Sequence, residues 1–405
     1  MRLLLTPVDD LDGRPVGKRI AVFRKRAGLT QAGLAQRLHR SKSWVEKVER
    51  GERQLDSFKT TMDVASALGV RVRDLRDDLD ATAPGHEVLP DLRRSLTSRP
   101  PEIADPRPVS EIAAEVLDVG RRLISSPTPF ADQGPAVPPL VAELRAVTAN
   151  GGAGQPEALR ALVLASLLAA RIASELRHPD LAWIAGDIGM RAAERAGDER
   201  YAAAVACRLA RGAQREGDID EAWRIVTEHA ETLRALLVRD PADELARSAY
   251  GALRQLAAVI AARGGDPAEA SALIAEARAA AEPMTADDVL LWTAFGPGNV
   301  ALHEASCHLE AGDADRAIAA SRLVVPSKLS TTERRLTHRV QLAHAESLRR
   351  RTDEAYQQLL AAERVSPEML ERNTQARELA GGMLRRKGRK PEGLRTLATR
   401  LHVAD

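Results

Sequence analysis

Two lysines, a serine and a tryptophan crowd one short run, "HRSKSWVEKVERG", residues 39–51. Lys42 and Lys47 end in ammonium donors that reach base acceptors or phosphates, and the Ser43 hydroxyl both donates and accepts. Trp44 offers a flat apolar face for a thymine methyl or the sugar-phosphate wall. A bundle helix needs one apolar face, and Val45 and Val48 already supply it. The remaining positions suit something outside the chain, and the surface that fits them is the major groove of double-stranded DNA. In a helical projection Ser43, Glu46, Lys47 and Arg50 lie opposite the valines, with Lys42 and Trp44 flanking that outer face. Glu46 is repelled by phosphate, so it belongs at the rim or against a cytosine amino group.

The charge distribution agrees with this reading. Residues 14–59 hold 13 Lys/Arg against four Asp/Glu, a local excess of nine in a chain whose net charge is only +2. A basic head on an acidic body is the layout of a nucleic-acid reader with a separate regulatory part. The 405 residues are 44% hydrophobic but only 3% aromatic, so the core is built from Leu, Ala, Val and Ile. That composition favours packed helices over sheet and predicts an all-α chain. Cys207 and Cys307 are far apart and make no framework, as expected of reduced thiols in a cytoplasmic protein. The opening "MRLLLTPVDDLDG" is neither a signal peptide nor a membrane span, and no membrane partner is expected.

The elements that must position the groove face are short helices. Periodicity predicts five of them in a head of residues 1–80, over 16–27, 31–39, 42–50, 57–68 and 72–79. Thr30 and Ser41 are placed to N-cap the second and third, and Gly28, Gly51 and Gly69 to end helices. Residues 81–139 are rich in proline and read as a linker with one helix near 110–124. Residues 140–405 are helical and repetitive. "GDIDEAWRIV" (217–226), "GDPAEASALI" (265–274) and "GDADRAIAAS" (312–321) share a Gly-Asp turn and an alanine at one offset. "TDEAYQQLLA" (352–361) is a degenerate fourth copy, and "GRKPEGLRTL" (388–397) a candidate fifth. Ala222, Ala270, Ala317 and Ala355 recur at the period of stacked helix–turn–helix units.

The segment "GLTQAGLAQRLHRSKSWVEKVERGERQLDSFKTTMDVASALGV" resembles the helix-turn-helix domain of the Cro/C1 repressor class, often called the Xre family. By that resemblance Gln31 binds a phosphate from the start of the second helix. Ser41, Lys42, Ser43 and Lys47 face the groove with Trp44 beside them, while Arg50 and Arg53 hold the backbone. Arg24 and Glu49 match positions where the family places an ion pair between the first and third helices. Gly33 replaces the usual capping-box Glu, and His39 stands where the inter-helix turn usually has Gly. The later repeats resemble tetratricopeptide repeats, giving a tetratricopeptide-like α-solenoid after the head. The two-part plan is similar to Gram-positive regulators whose repeat domains sense small peptides and dimerise. The implied protein is a dimeric, sequence-specific transcription regulator with a peptide, small molecule or protein as effector. The alternative is a repeat scaffold that binds DNA weakly.

One further stretch, "LLWTAFGPGNVALHEASCHLEAGD" (290–313), departs from bland repeat sequence. Asn299 and His303 lie one turn apart after Gly-Pro-Gly, with Phe295 just before them, and are candidates to clamp a peptide's amides. The competing reading makes Asn299 a helix cap and His303 a satisfied residue. His303 and Cys307 share i,i+4 spacing but lack a third ligand, so no metal is expected. No phosphate loop, nucleophile elbow or paired catalytic carboxylate emerges, and neither enzyme activity nor a cofactor is expected.

Overall fold

Why prolines did not keep the described part of residues 85–139 out of the core is visible in where three of them sit. The computed structural model describes residues 16–53, 55, 58–70, 72–75, 85–103, 105–150, 154–386 and 389–403. In place of the expected linker it has helices α6 (Leu89–Thr97), α7 (Val109–Ser125), α8 (Pro129–Gln133) and α9 (Val137–Asn150). The helix expected near 110–124 is α7. Pro90 and Pro129 occupy the first turns of α6 and α8, and Pro108 precedes α7. There the missing N–H costs nothing and the fixed φ starts the helix. Leu92, Ile112, Val116, Leu123, Phe130 and Val137 from this stretch are buried in the same core as the repeats.

The head consists of α1 (Val16–Arg26), α2 (Gln31–Arg37), α3 (Lys42–Glu49), α4 (Phe58–Leu68) and α5 (Val72–Leu75). The rest of the helix expected over 72–79 lies outside the described residues. Thr30 Oγ1 accepts from Gly33 N at 3.0 Å and Ser41 Oγ from Trp44 N at 3.1 Å, so both expected caps form. His39, in the turn between α2 and α3, has φ of +50°. Its Cβ strains a left-handed position that glycine would occupy freely. Ile20, Phe23, Leu34, Val45, Val48, Val64, Leu68 and Leu75 close one small core.

The body stacks antiparallel pairs: α10 (Gln155–Glu175) with α11 (Pro179–Ala196), α12 (Glu199–Glu216) with α13 (Ile219–Arg239), and α14 (Glu244–Gly264) with α15 (Pro267–Ala281). α16 (Pro297–Glu310) with α17 (Ala314–Ser321) and α18 (Thr332–Leu348) with α19 (Thr352–Val365) follow. After the short α20 (Pro367–Arg372), α21 (Thr374–Arg385) packs on α22 (Leu394–Arg400). The repeated Gly-Asp signature explains each turn. Gly217, Gly265 and Gly312 take positive φ at a helix C-terminus. Asp218, Asp266 and Asp313 then accept from the backbone N of Glu221, Glu269 and Arg316 to cap the next helix. In the degenerate copy Arg350 takes the left-handed position, at φ +61°. Ala222, Ala270, Ala317 and Ala355 are all buried where the paired helices approach.

The superhelix closes on itself. The backbone N–H groups of Phe130 and Ala131 donate to the two Glu368 carboxylate oxygens at 3.2 Å each. Thr332 Oγ1 donates to Ser125 O at 2.8 Å, Ser366 Oγ donates to Pro127 O, and the Arg372 guanidinium lies 5.6 Å from the Phe130 ring centroid. The supposed linker is thus the clasp that joins the first body helices to the last. No helix among the described residues is long and apolar enough to cross a membrane.

Candidate nucleic-acid interface and internal chamber

The outer face of α3 keeps most of the expected residues in the open. Ser41, Lys42, Ser43, Lys47 and Arg50 are exposed, whereas Val45, Val48 and Glu49 are buried. Glu46 draws Lys42 to 3.3 Å and Arg50 pairs with Glu52 at 3.3 Å. Such exposed pairs are worth a few tenths of a kcal/mol, about 0.3–0.5, and yield readily to a phosphate. Lys47 makes no ion pair among the described residues. The helix presenting these groups is anchored from behind. Arg24 Nε and Nη2 donate to the two Glu49 oxygens at 2.6 and 3.1 Å, and Arg24 Nη1 reaches Leu29 O at 2.7 Å.

Three expected contacts need correction or restatement. Trp44 is not on the outer face: it is 7% exposed and packs in the head core. Residues 44, 45 and 48 fall within one 100° arc, so the apolar face of α3 is wider than its two valines. The Arg40 guanidinium covers the ring at 5.8 Å from its centroid, screening it from the groove. Gln31 Nε2 donates to Glu49 Oε2 at 2.8 Å, so its amide braces the ion pair. Arg53 is exposed, but it borders the cleft between head and body rather than standing in line with Lys42 and Lys47.

The expected ligand residues in the body fare worse. Phe295 is fully buried, and a Cβ on Gly251 of α14 would meet its ring at 2.0 Å, so it is core. Asn299 is also fully buried. Its Nδ2 donates to Ala294 O at 2.5 Å, a carbonyl that Gln255 Nε2 also reaches at 2.9 Å. Asn299 does not cap α16 either, because Asp287 accepts from Gly298 N at 2.9 Å and does that work across the loop. Only His303 borders a cavity, with Nδ1 at 2.8 Å from Asn299 O. Burial, then the charges of Arg334 and Arg211, push its pKa well below the ordinary value. The Cys307 thiol is pushed up to about 12, chiefly by burial, which disfavours metal ligation. Trp183 is 38% exposed beside the cavity mouth.

That cavity was not foreseen. It is a chamber of about 910 Å³ enclosed by the first helix of successive pairs and bordered by the head through Val16, Gly17, Val48 and Gly51. The head is fastened there: Arg385 Nε donates to Gly51 O at 2.9 Å, and Ile219 of the body packs on the head core. The chamber wall is basic. Arg215 pairs with Glu175 at 2.8 Å, and Glu333 holds Arg171 at 3.2 Å and Arg334 at 3.7 Å. Burial alone would raise the Glu333 pKa, but Arg334, Arg171, Arg208 and Arg211 outweigh it and hold the carboxyl well below its usual range. Arg208 and Arg211 themselves form no hydrogen bond or ion pair among the described residues. Burial and neighbouring guanidiniums lower them to about 10 and about 9. A sequence signal existed: positions 208, 211 and 215 run along one face of a helix that is otherwise alanine-rich.

Residues 16–79 match the family model described as a helix-turn-helix domain. No curated protein matches the chain. Among solved structures, Bacillus thuringiensis PlcR in complex with the peptide PapR7 and DNA is similar over 66% of this chain and 95% of that one, at 15% identity and a TM-score of 0.30. Residues 16–79 are thus a helix-turn-helix domain, and the chain joins this DNA-binding head to a tetratricopeptide-like helical-repeat body.

Proposed function

We propose that the chain is a sequence-specific transcription regulator that reads its operator with Lys42, Ser43 and Lys47 and is controlled by an effector held in the body chamber. The observation that carries the reading is the exposed polar face of α3, presented by a helix whose inner face is locked by the Ser41 cap and the Arg24–Glu49 pair. Lysines at 42 and 47 stand one helical turn and a residue apart, a span that reaches neighbouring base pairs in the major groove. Three outward residues give few base contacts, so two copies act together on half-sites about one DNA turn apart, with the body supplying the dimer contact. Control follows from the chamber sharing a border with the head. An effector that prefers one arrangement of the ring shifts where the head sits, without touching DNA.

Binding-site selection with the intact chain tests the reading. Lys42→Ala and Lys47→Ala should each relax preference at particular base pairs, by about 1–3 kcal/mol for a lost base contact. Arg50→Ala should weaken all sequences alike. Recovery of the wild-type motif from both lysine variants would mean that another face enters the groove. Footprints and sedimentation at operator concentrations test pairing, and a monomer protecting a single half-site would refute it.

A further inference from the structure

Beside the main chamber, and sharing Arg211, Arg215, Glu333 and Arg334 with it, lies a recess of about 50 Å³. At roughly 10–15 Å³ for each water-sized group, it holds about four such groups, the size of a carboxylate or phosphate head. Its polar lining is almost all donors. Arg171, Arg208, Arg211, Arg215 and Arg334 face it, and Glu333 is the single carboxylate among its lining residues. Both Glu333 oxygens are already engaged, one by Arg171 and one by Arg334. Arg215 is matched by Glu175 outside the recess. Among the described residues Arg208 and Arg211 have no hydrogen bond or ion pair of their own, and feel Glu333 only at a distance.

Two more buried donors at the recess lack a partner. Arg171 is 5% exposed and its Nε is unsatisfied, as is Nε1 of Trp292. Neither group can accept a hydrogen bond, so no rotation of the side chain resolves the shortage. Trp292 is held at this wall by a loop in which Leu291 and Trp292 both take positive φ, at +52° and +58°. Its ring fills the space that a Cβ on Gly120 would need. Buried donors and unpaired cations in one place are costly unless something satisfies them.

We propose that this recess binds a compact oxyanion, the carboxylate or phosphate group of the effector, whose oxygens take the free valences of Arg208, Arg211, Arg171 Nε and Trp292 Nε1. The larger chamber then houses the remainder of the same molecule. This deepens the proposed function and rests on its reading of the chamber as the effector site.

The test uses the full chain with inorganic phosphate, succinate and the neutral analogue succinamide, at matched ionic strength in chloride. Calorimetry and thermal melting report binding, and tryptophan emission compared with Trp292→Phe reports its place. Phosphate or succinate, but not succinamide, should bind and raise the melting temperature, and whichever anion binds more tightly identifies the head group. Arg208→Met should lose about tenfold or more in anion affinity, the worth of one charged hydrogen bond. Without anion it should melt higher than wild type, because one of several crowded guanidiniums has gone. Arg211→Gln checks the same two signs by a separate substitution, should the first variant not fold. Failure of both anions to bind, or equal binding by the arginine variants, overturns the assignment. Operator affinity is measured separately with and without anion. An anion that binds without changing it keeps the recess and rejects effector control. An extract that changes operator affinity while no anion binds does the reverse.

Discussion

Replacing Glu49 by methionine should unfasten α3, and its cost can be worked from the contacts. The carboxylate takes three hydrogen bonds, two from Arg24 at 2.6 and 3.1 Å and one from Gln31 at 2.8 Å. Arg24 is only 8% exposed and would keep a single partner, Leu29 O. Stranding one member of a buried pair costs about 3–5 kcal/mol, and Arg24→Met should cost about as much by stranding Glu49. The double methionine variant leaves no charge behind and should cost less than either single change. Hydrogen exchange of amides in residues 31–50 of the intact chain isolates the head from the body. At 1.4 kcal/mol per decade, each single variant should lose roughly two to three decades of protection and the double should recover most of it. Additive losses would show that the pair contributes no more than its separate contacts, and the anchoring argument would fall with it.

Two further outcomes follow from the body. Asn299→Ala should lower stability by about 1–2 kcal/mol, the worth of one buried hydrogen bond and a small cavity, because Gln255 still satisfies Ala294 O. Phosphate binding by the folded variant should be unchanged, and an unaltered melt with altered binding would return Asn299 to the site. His303 is neutral in the folded chain, its pKa depressed first by burial and then by Arg334 and Arg211. Below the unfolded value of about 6.5 the unfolded chain takes up a proton that the folded one refuses. Stability is therefore full above that pH and falls as pH drops toward the depressed folded value. His303→Gln should flatten this fall in denaturant melts between pH 7 and pH 5. His178, His229 and His338, also depressed chiefly by burial, remain in both proteins and cancel in the difference. Parallel curves for the two proteins would refute the assignment.

The head was legible because its signals are local. Thr30 and Ser41 cap within three residues of themselves, the glycines terminate helices where they stand, and a helix projection finds Lys42, Ser43 and Lys47. The same projection misplaced Trp44, since a side chain on the border of two faces is decided by what packs above it. Here the core and Arg40 settle the matter. The Gly-Asp repeats were legible for the same reason: each encodes one turn and one cap. Proline misled because its effect depends on position. A composition count cannot tell a helix-starting proline from a helix-breaking one, and residues 81–139 were read by composition.

The chamber was hidden for a different reason, which bears on how such a regulator works. An arginine at 208 or 211 reads as a solvated charge on an alanine-rich helix, and on an open solenoid it would be one. Closure changes its surroundings. The clasp from Ser125, Pro127, Phe130 and Ala131 to Thr332, Ser366 and Glu368 joins residues more than 200 positions apart, and no periodicity reports such a contact. Once the ring is shut, Arg171, Arg208, Arg211, Arg215 and Arg334 face one another across a confined space, and among the described residues the carboxylates paired with them are Glu175 and Glu333. The clasp and the head contact at Gly51 both hold the ring around this cluster of like charges. On the proposed reading of the recess, an oxyanion that neutralises the cluster favours the closed ring. On that proposal, effector binding and head position would be coupled through charge, with no need for a path of side chains from the recess to the groove.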